Sequence, residues 1–309
     1  MLKYIGKRLL AMIPVLIGVS FLIFMILKLA PGDPVYMILG NDAPAEAYEA
    51  LREEMHLNDP AIVQYGYYMS DLLRGDLGES YVNHRPVADE IKTRIPATFK
   101  LAGTSALLSI ALAIPLGIIA AVYSNSIFDR LSMILSLVGI SMPAFWLALM
   151  LMLLFSVKLG WLPAQGANAG WKSYVMPSMA IGFMNMAAIA RTTRSSMLDT
   201  IRSDYVRTAR SKGINEWKVI MHHSFRNALI PVLTIVGSQF GGLLGGATLT
   251  ETVFAWPGLG RMMVTAVNGR DVPTVEATIL LLSFAHSIVN LIVDLLYAVV
   301  DPRVKTMFK

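Results

Sequence analysis

The sequence predicts an all-α membrane protein with six transmembrane helices and an extracytoplasmic insertion between the first two. Three observations carry that expectation. The 309 residues are 55% hydrophobic and only 15% charged, with a mean hydropathy of +0.57, whereas a soluble domain carries about a quarter charged residues. Six apolar stretches reach or approach the roughly 20 residues of helix that cross a bilayer. The segments joining those stretches alternate in charge sign.

The spans read as Leu9–Leu29, Leu101–Val122, Leu131–Val157, Tyr174–Ala190, Leu229–Leu249 and Ala277–Val300. Pro14, Pro115, Pro143 and Pro177 fall inside them, which membrane helices tolerate because neighbouring groups re-satisfy the freed backbone. Lys3, Lys7 and Arg8 precede the first span as they would in a signal peptide. Its apolar run is too long for one, however, and Leu29-Ala30-Pro31-Gly32-Asp33-Pro34 is no small-x-small cleavage site. This span is expected to stay as an anchor.

Residues 1–8, 124–130, 191–228 and 301–309 hold 15 Lys/Arg against 5 Asp/Glu, a net charge of +10. Residues 31–97, 159–173 and 251–276 hold 8 against 15, a net of −7. The positive-inside rule therefore puts the first set, and both termini, in the cytoplasm. The overall net charge of +5 flanks apolar spans, so no nucleic-acid partner is expected. Four regions follow: an N-terminal segment with the first helix at 1–30, an extracytoplasmic subdomain at 31–97, a membrane core at 98–302, and a cytoplasmic tail at 303–309. Within the subdomain, Ala45–His56 and Ile62–Leu73 read as amphipathic helices, the second carrying Tyr65, Tyr67 and Tyr68.

The longest cytoplasmic loop, about 199–228, reads as a docking device. Ser203-Asp204 can cap a helix through Tyr205-Val206-Arg207-Thr208-Ala209-Arg210-Ser211-Lys212, with Gly213 at the stop position. Asn215 can cap a second helix whose Trp217, Ile220, Met221, Ser224 and Ala228 share one face. The small residues allow close backbone approach by a partner.

These residues carry a resemblance. Thr208-Ala209-Arg210-Ser211-Lys212-Gly213 resembles the EAA loop of ABC import permeases, whose short helix docks on a cytoplasmic ATPase. The run from Asp204 to Gly213, followed by Arg226-Asn227-Ala228-Leu229-Ile230-Pro231, is similar to the dipeptide, oligopeptide and nickel branch of that superfamily. Further segments of the same branch are Ala30-Pro31-Gly32-Asp33-Pro34, Gly75-Asp76-Leu77-Gly78, Arg191–Met197, Glu251–Arg261 and Asp294–Arg303. Arg207 and Thr208 stand where the broad pattern has Glu and Ala, and Arg226 stands where it has Pro. The peptide branch departs in the same way.

The resemblance implies a type I ABC importer permease in a bacterial inner membrane. It also implies a second homologous permease, two ABC ATPase subunits and an extracytoplasmic substrate-binding protein as partners. ATP and Mg would sit on the ATPases and no cofactor on this chain, which has no Gly-x-x-x-x-Gly-Lys-Ser/Thr. Asp204, Tyr205, Arg207, Thr208, Ala209, Arg210, Lys212 and Gly213 are the ATPase-coupling candidates. Peptides or glutathione are the expected cargo and a nickel chelate the alternative. A proton-coupled transporter would need a relay of buried acids, for which Asp294 alone qualifies, and a channel would need a filter that the sequence lacks.

The remaining candidates leave alternatives open. His286, Asn290 and Asp294 recur every four residues in the sixth span and so share a stripe. Polar groups at membrane depth face a wet pathway or bond between helices. Asn185 and Gln239 raise the same question. Gly237, Gly241, Gly242, Gly245 and Gly246 suggest close helix packing or the face toward a second permease. Trp256, Pro257 and Gly258 form a gate, a docking surface or a rigid turn. The chain has no cysteine, which excludes disulfides and thiolate sites. His222 and His223 are adjacent, so they point to different sides of a helix, and no metal site is expected.

Overall fold

The computed structural model describes residues 2–30, 32–40 and 42–300, with residues 2–4, 244, 246 and 296–300 described by backbone alone. Pro31, the expected tail and Lys309 lie outside the described residues, as do the side-chain surroundings of Gly246. The chain divides into two compact units. One comprises Phe99–Trp256 and the described residues from His286 to Val300, and the other Leu2–Thr98 and Pro257–Ala285.

The second unit begins with α1 (Leu2–Leu29). Asp33 caps the short α2 (Pro34–Leu39), accepting from Val35 N at 3.0 Å, with Pro34 in the first helical turn. The helices α3 (Ala45–Glu54) and α4 (Ala61–Leu73) form where amphipathic spacing puts them. Tyr65 of α4 packs on α1: its ring lies 5.2 Å from Phe21 and 5.5 Å from Phe24, and its hydroxyl is 2.8 Å from Ser20 Oγ.

The helix α5 (Val87–Val122) starts well before the apolar run that predicts it. Val87 and Ile91 pack with Leu259 and Met262 of α12 (Leu259–Asn268) and with Ala277 of α13 (Val272–Val300). The buried Asp271 carboxylate accepts from Ser80 Oγ at 2.5 Å, Tyr81 N at 3.0 Å and Thr274 Oγ1 at 2.7 Å. Residues 31–97 thus share a core with residues that lie far along the chain.

In the first unit, α8 (Lys172–Ile201) is the hub, packing against α6 (Ile127–Ser141), α7 (Ala144–Leu151) and the long helix that follows the 199–228 loop. A Cβ at Gly117 of α5 would fall 2.7 Å from Ala190 O, so only glycine permits this approach of α5 to α8. One expectation is corrected. Leu131–Val157 is not a single helix but α6 and α7 bent by 107°, with a π-helical turn at Met152–Lys158 ending the second arm. Proline disfavours the helical conformation of the residue before it. Met142 is accordingly extended (φ −85°, ψ 126°), and Pro143 begins α7. Pro14 and Pro177, by contrast, remain inside helices. Among the described residues, five helices are long and apolar enough to cross a membrane, and the bent pair makes a sixth if it crosses as one broken span.

Candidate functional site

The loop at about 199–228 is built from two consecutive helix boundaries. After α8 ends at Ile201, α9 runs Asp204–Ser211. Ser203 occupies the N-cap position, but its hydroxyl donates to Thr200 O at 2.5 Å instead of accepting from α9. It therefore closes α8 more than it opens α9.

The C-terminus of α9 is a Schellman turn. Gly213 has φ +73°, its N–H donates to Arg210 O at 2.9 Å, and Ile214 N donates to Ala209 O at 3.4 Å. Ile214 then packs on Val206, Ala209 and Val219, all three buried. Asn215 Oδ1 accepts from Trp217 N at 3.0 Å and caps α10 (Glu216–Lys218), as its position predicts. A π-helical turn at Val219–Phe225 joins α10 to α11 (Arg226–Val253) without a break. Ile220, Ser224 and Ala228 are buried, but Trp217 is 70% exposed. The i→i+5 bonding of the π turn takes in an extra residue, which rotates Trp217 off the face that simple helical spacing assigns it.

Of the eight coupling candidates, Ala209 alone points inward. Asp204, Tyr205, Arg207, Thr208, Arg210, Lys212 and Gly213 are exposed. Arg210 spans the glycine turn to Glu216, with Nη2 donating at 2.7 Å and Nε at 3.1 and 3.2 Å to the two carboxylate oxygens. This bond holds the guanidinium above its already high ordinary pKa. The loop is thus a short exposed helix with an apolar underside, linked by two residues to α8 and by one capped turn to α11.

An ion pair that sequence reading missed lies in the same unit. Arg194 of α8 donates from Nε (2.5 Å) and Nη2 (2.7 Å) to Asp129 in the first turn of α6. Asp129 also accepts from Asn125 N at 2.8 Å. The carboxylate is 5% exposed and the guanidinium 23%. Ser126, three residues ahead of Asp129, was the available signal, since it caps α6. Nothing in the linear order pairs Asp129 with Arg194, 65 residues on.

Two of the path candidates come together. His286 Nδ1 lies 2.8 Å from Gly241 O, so the ring donates from that nitrogen to the α11 carbonyl. A Cβ at Gly241 would fall 2.9 Å from both Asn290 Oδ1 and His286 Cε1. The polar stripe of α13 thus meets the glycine stripe of α11, where small residues permit close approach. Asp294 follows on α13, half-buried. Asn185 is buried and donates to Ile181 O of its own helix, and Gln239 is half-buried on α11.

Trp256 is corrected from docking surface to core. It is fully buried, with its ring 4.7 Å from Tyr174 in an edge-on contact and its backbone N–H donating to Glu251 O at 2.8 Å. Pro257 is exposed, and Gly258 is the N-cap of α12. Burial of Trp256 fits the rigid turn among the three readings.

Residues 113–306 match the family described as "Binding-protein-dependent transport system inner membrane component". Residues 1–102 match that family's N-terminal component. The chain belongs to this family. As a binding-protein-dependent permease it is the multi-pass membrane subunit of an ABC importer. It is 47% identical over 305 residues to the glutathione transport system permease protein GsiC of Escherichia coli O6:H1, covering 99% of both chains. The GsiC proteins of Escherichia coli K12 and Salmonella typhimurium LT2 are 46% and 45% identical over the same length, again with 99% of both chains covered. In fold the permease is similar to a chain of the MetNI methionine ABC transporter in an inward-facing conformation. There the TM-score is 0.59 at 16% identity, covering 69% of this chain and 96% of that one.

Proposed function

We propose that this permease forms half of the pathway of an ATP-driven importer of short peptides, glutathione-like molecules among them. The observation that carries the proposal is the α9 device. A short exposed helix is anchored by Val206 and Ala209, ended by a left-handed glycine and continuous through Glu216 with a membrane-length helix. ATP-driven closure of two ATPase subunits would press on Asp204, Tyr205, Arg207, Thr208 and Lys212. The anchored underside would carry that motion into α8 and α11. A second homologous permease would supply the other half of the path, and an extracytoplasmic binding protein would deliver cargo. ATP and Mg belong on the ATPases and none on this chain. The charge division between segments supports cytoplasmic termini and an extracytoplasmic 31–97 region.

Identity of 47% over the full length with a glutathione permease supports the peptide cargo. The polar groups on α13 support a path lined in part by His286 and Asn290, which are both exposed in the single chain. The test is uptake of labelled glutathione and dialanine into vesicles holding the whole importer, with ATP inside or outside and with a nickel chelate as competitor. Uptake driven only by ATP on the α9 side and blocked by unlabelled peptide is expected. ATP-independent uptake would refute the mechanism, and competition by the chelate alone would overturn the cargo assignment.

A further inference from the structure

The second unit contains a cavity of about 650 Å³ walled by α1, α4, the loop at Tyr81 and the start of α13. That volume lies within the range of pockets that hold small ligands. Glu276 lines it and is 6% exposed, yet its carboxylate accepts no hydrogen bond and forms no ion pair among the described residues. Buried carboxylates are normally paired or hydrogen-bonded, so an unpartnered one facing a cavity is able to take a donor from a ligand there.

Its neighbours define what that is. Tyr68 and Tyr81 line the same cavity, and neither hydroxyl has a partner among the described residues. Burial first, then the charge of Glu276, pushes both phenols above their ordinary value, so both stay protonated. Lys28 and Arg270, also in the lining, have no ion-pair partner among the described residues. The wall thus combines one buried carboxyl group, two phenol oxygens able to accept, and the exposed Lys28 and Arg270, with the less buried Asp33, Glu54, Asp71 and Asp76 also in the lining.

We propose that this cavity binds a short zwitterionic peptide, with the α-ammonium held by Glu276, Tyr68 and Tyr81 and the carboxylate held by Lys28 and Arg270. An ammonium offers three donors to the carboxylate and two phenols, and aromatic faces add cation–π attraction. A bare metal ion would be served worse, because no group of three or more His, Asp or Glu residues is placed to ligate one among the described residues. The proposal builds on the import reading by giving the permease its own contact with cargo, but its test needs no ATP.

The experiment is calorimetric titration of the purified full chain in lipid nanodiscs with dialanine and with N-acetyl-dialanine, which lacks the ammonium. Dialanine is expected to bind, the acetylated peptide about tenfold or more weakly, and Glu276→Gln to lose the same factor, because hydrogen bonds to charged groups are worth that much. Tyr68→Phe and Tyr81→Phe, which remove one oxygen each, are expected to weaken binding severalfold with an unchanged unfolding temperature. These two variants decide the matter if Glu276→Gln does not fold. Absence of dialanine binding, equal binding of the acetylated peptide, or wild-type affinity in the folded variants would each overturn the proposal. Intact binding combined with ATP-independent uptake would strike the import reading and leave this site standing.

Discussion

Replacing Gly213 by valine perturbs one backbone conformation and little else. Gly213 holds φ +73°, and a Cβ built on it meets nothing within 4 Å, so the chain itself offers no clash. The cost is the left-handed conformation, about 1–2 kcal/mol for an L-residue and more for a β-branched one. Paid in the folded state, this shifts the local equilibrium away from the Schellman turn by roughly 5- to 30-fold. What is lost is the pair of bonds from Gly213 N and Ile214 N that ends α9, and with them the seating of Ile214 on Val206 and Ala209. The membrane-length helices are untouched, so Gly213→Val is expected to insert and to pair with its sister permease. ATPase co-purification or substrate-stimulated hydrolysis in nanodiscs should fall by about the same factor. Gly213→Asn provides the discriminating control, since asparagine enters the left-handed region at lower cost, and it should recover most of the coupling. Wild-type coupling in the valine variant would refute the argument. Equal damage from asparagine and valine would mean that side-chain bulk at the ATPase surface, and not backbone strain, is responsible.

Four further expectations follow from the same structure. Arg194→Leu leaves the Asp129 carboxylate buried without its guanidinium and should destabilise the permease by about 3–5 kcal/mol. Thermal unfolding measures this, and an Arg194→Leu, Asp129→Leu double variant should recover part of the loss. Gly241→Ala forces a methyl group between α11 and α13 at His286 and Asn290, and should cost about 1–3 kcal/mol, visible as a lowered unfolding temperature. His286→Leu or Asn290→Leu should slow transport without loss of assembly if these residues line the path, and wild-type transport in both would leave packing as their role. Single cysteines at Glu46 and Lys212 should react from opposite sides of intact cells, and labelling of position 212 from outside would overturn the orientation.

Much of this permease is legible in the linear chain because lipid leaves few options. Every backbone polar group in a bilayer core must be satisfied within its own helix, so a long apolar run specifies a span almost by itself. Local chemistry was equally readable. Asn215 caps its helix and Gly213 ends the one before it, since both effects need only neighbours a few residues away. The distribution of Lys and Arg predicts which segments face the cytoplasm, and the cysteine labelling above tests that prediction.

Tertiary structure decided where polar groups find partners and how far helices run beyond their apolar core. The α5 start at Val87 and the bend at Met142–Pro143 depend on what packs against each residue, and apolar run length is blind to both. The same holds for Trp256, whose turn-rich neighbourhood reads as surface until Tyr174 covers it. Asp129 and Arg194 are ordinary loop-flanking charges until α6 and α8 bring them together. Glu276 reads as the last acid before a span and becomes a lone buried carboxylate only when α1, α4 and the loop at Tyr81 close around it. The physical reason is common to all of these. Burial is a property of three-dimensional neighbours, and the free energy of a charge or an aromatic ring depends on burial far more than on its place in the chain.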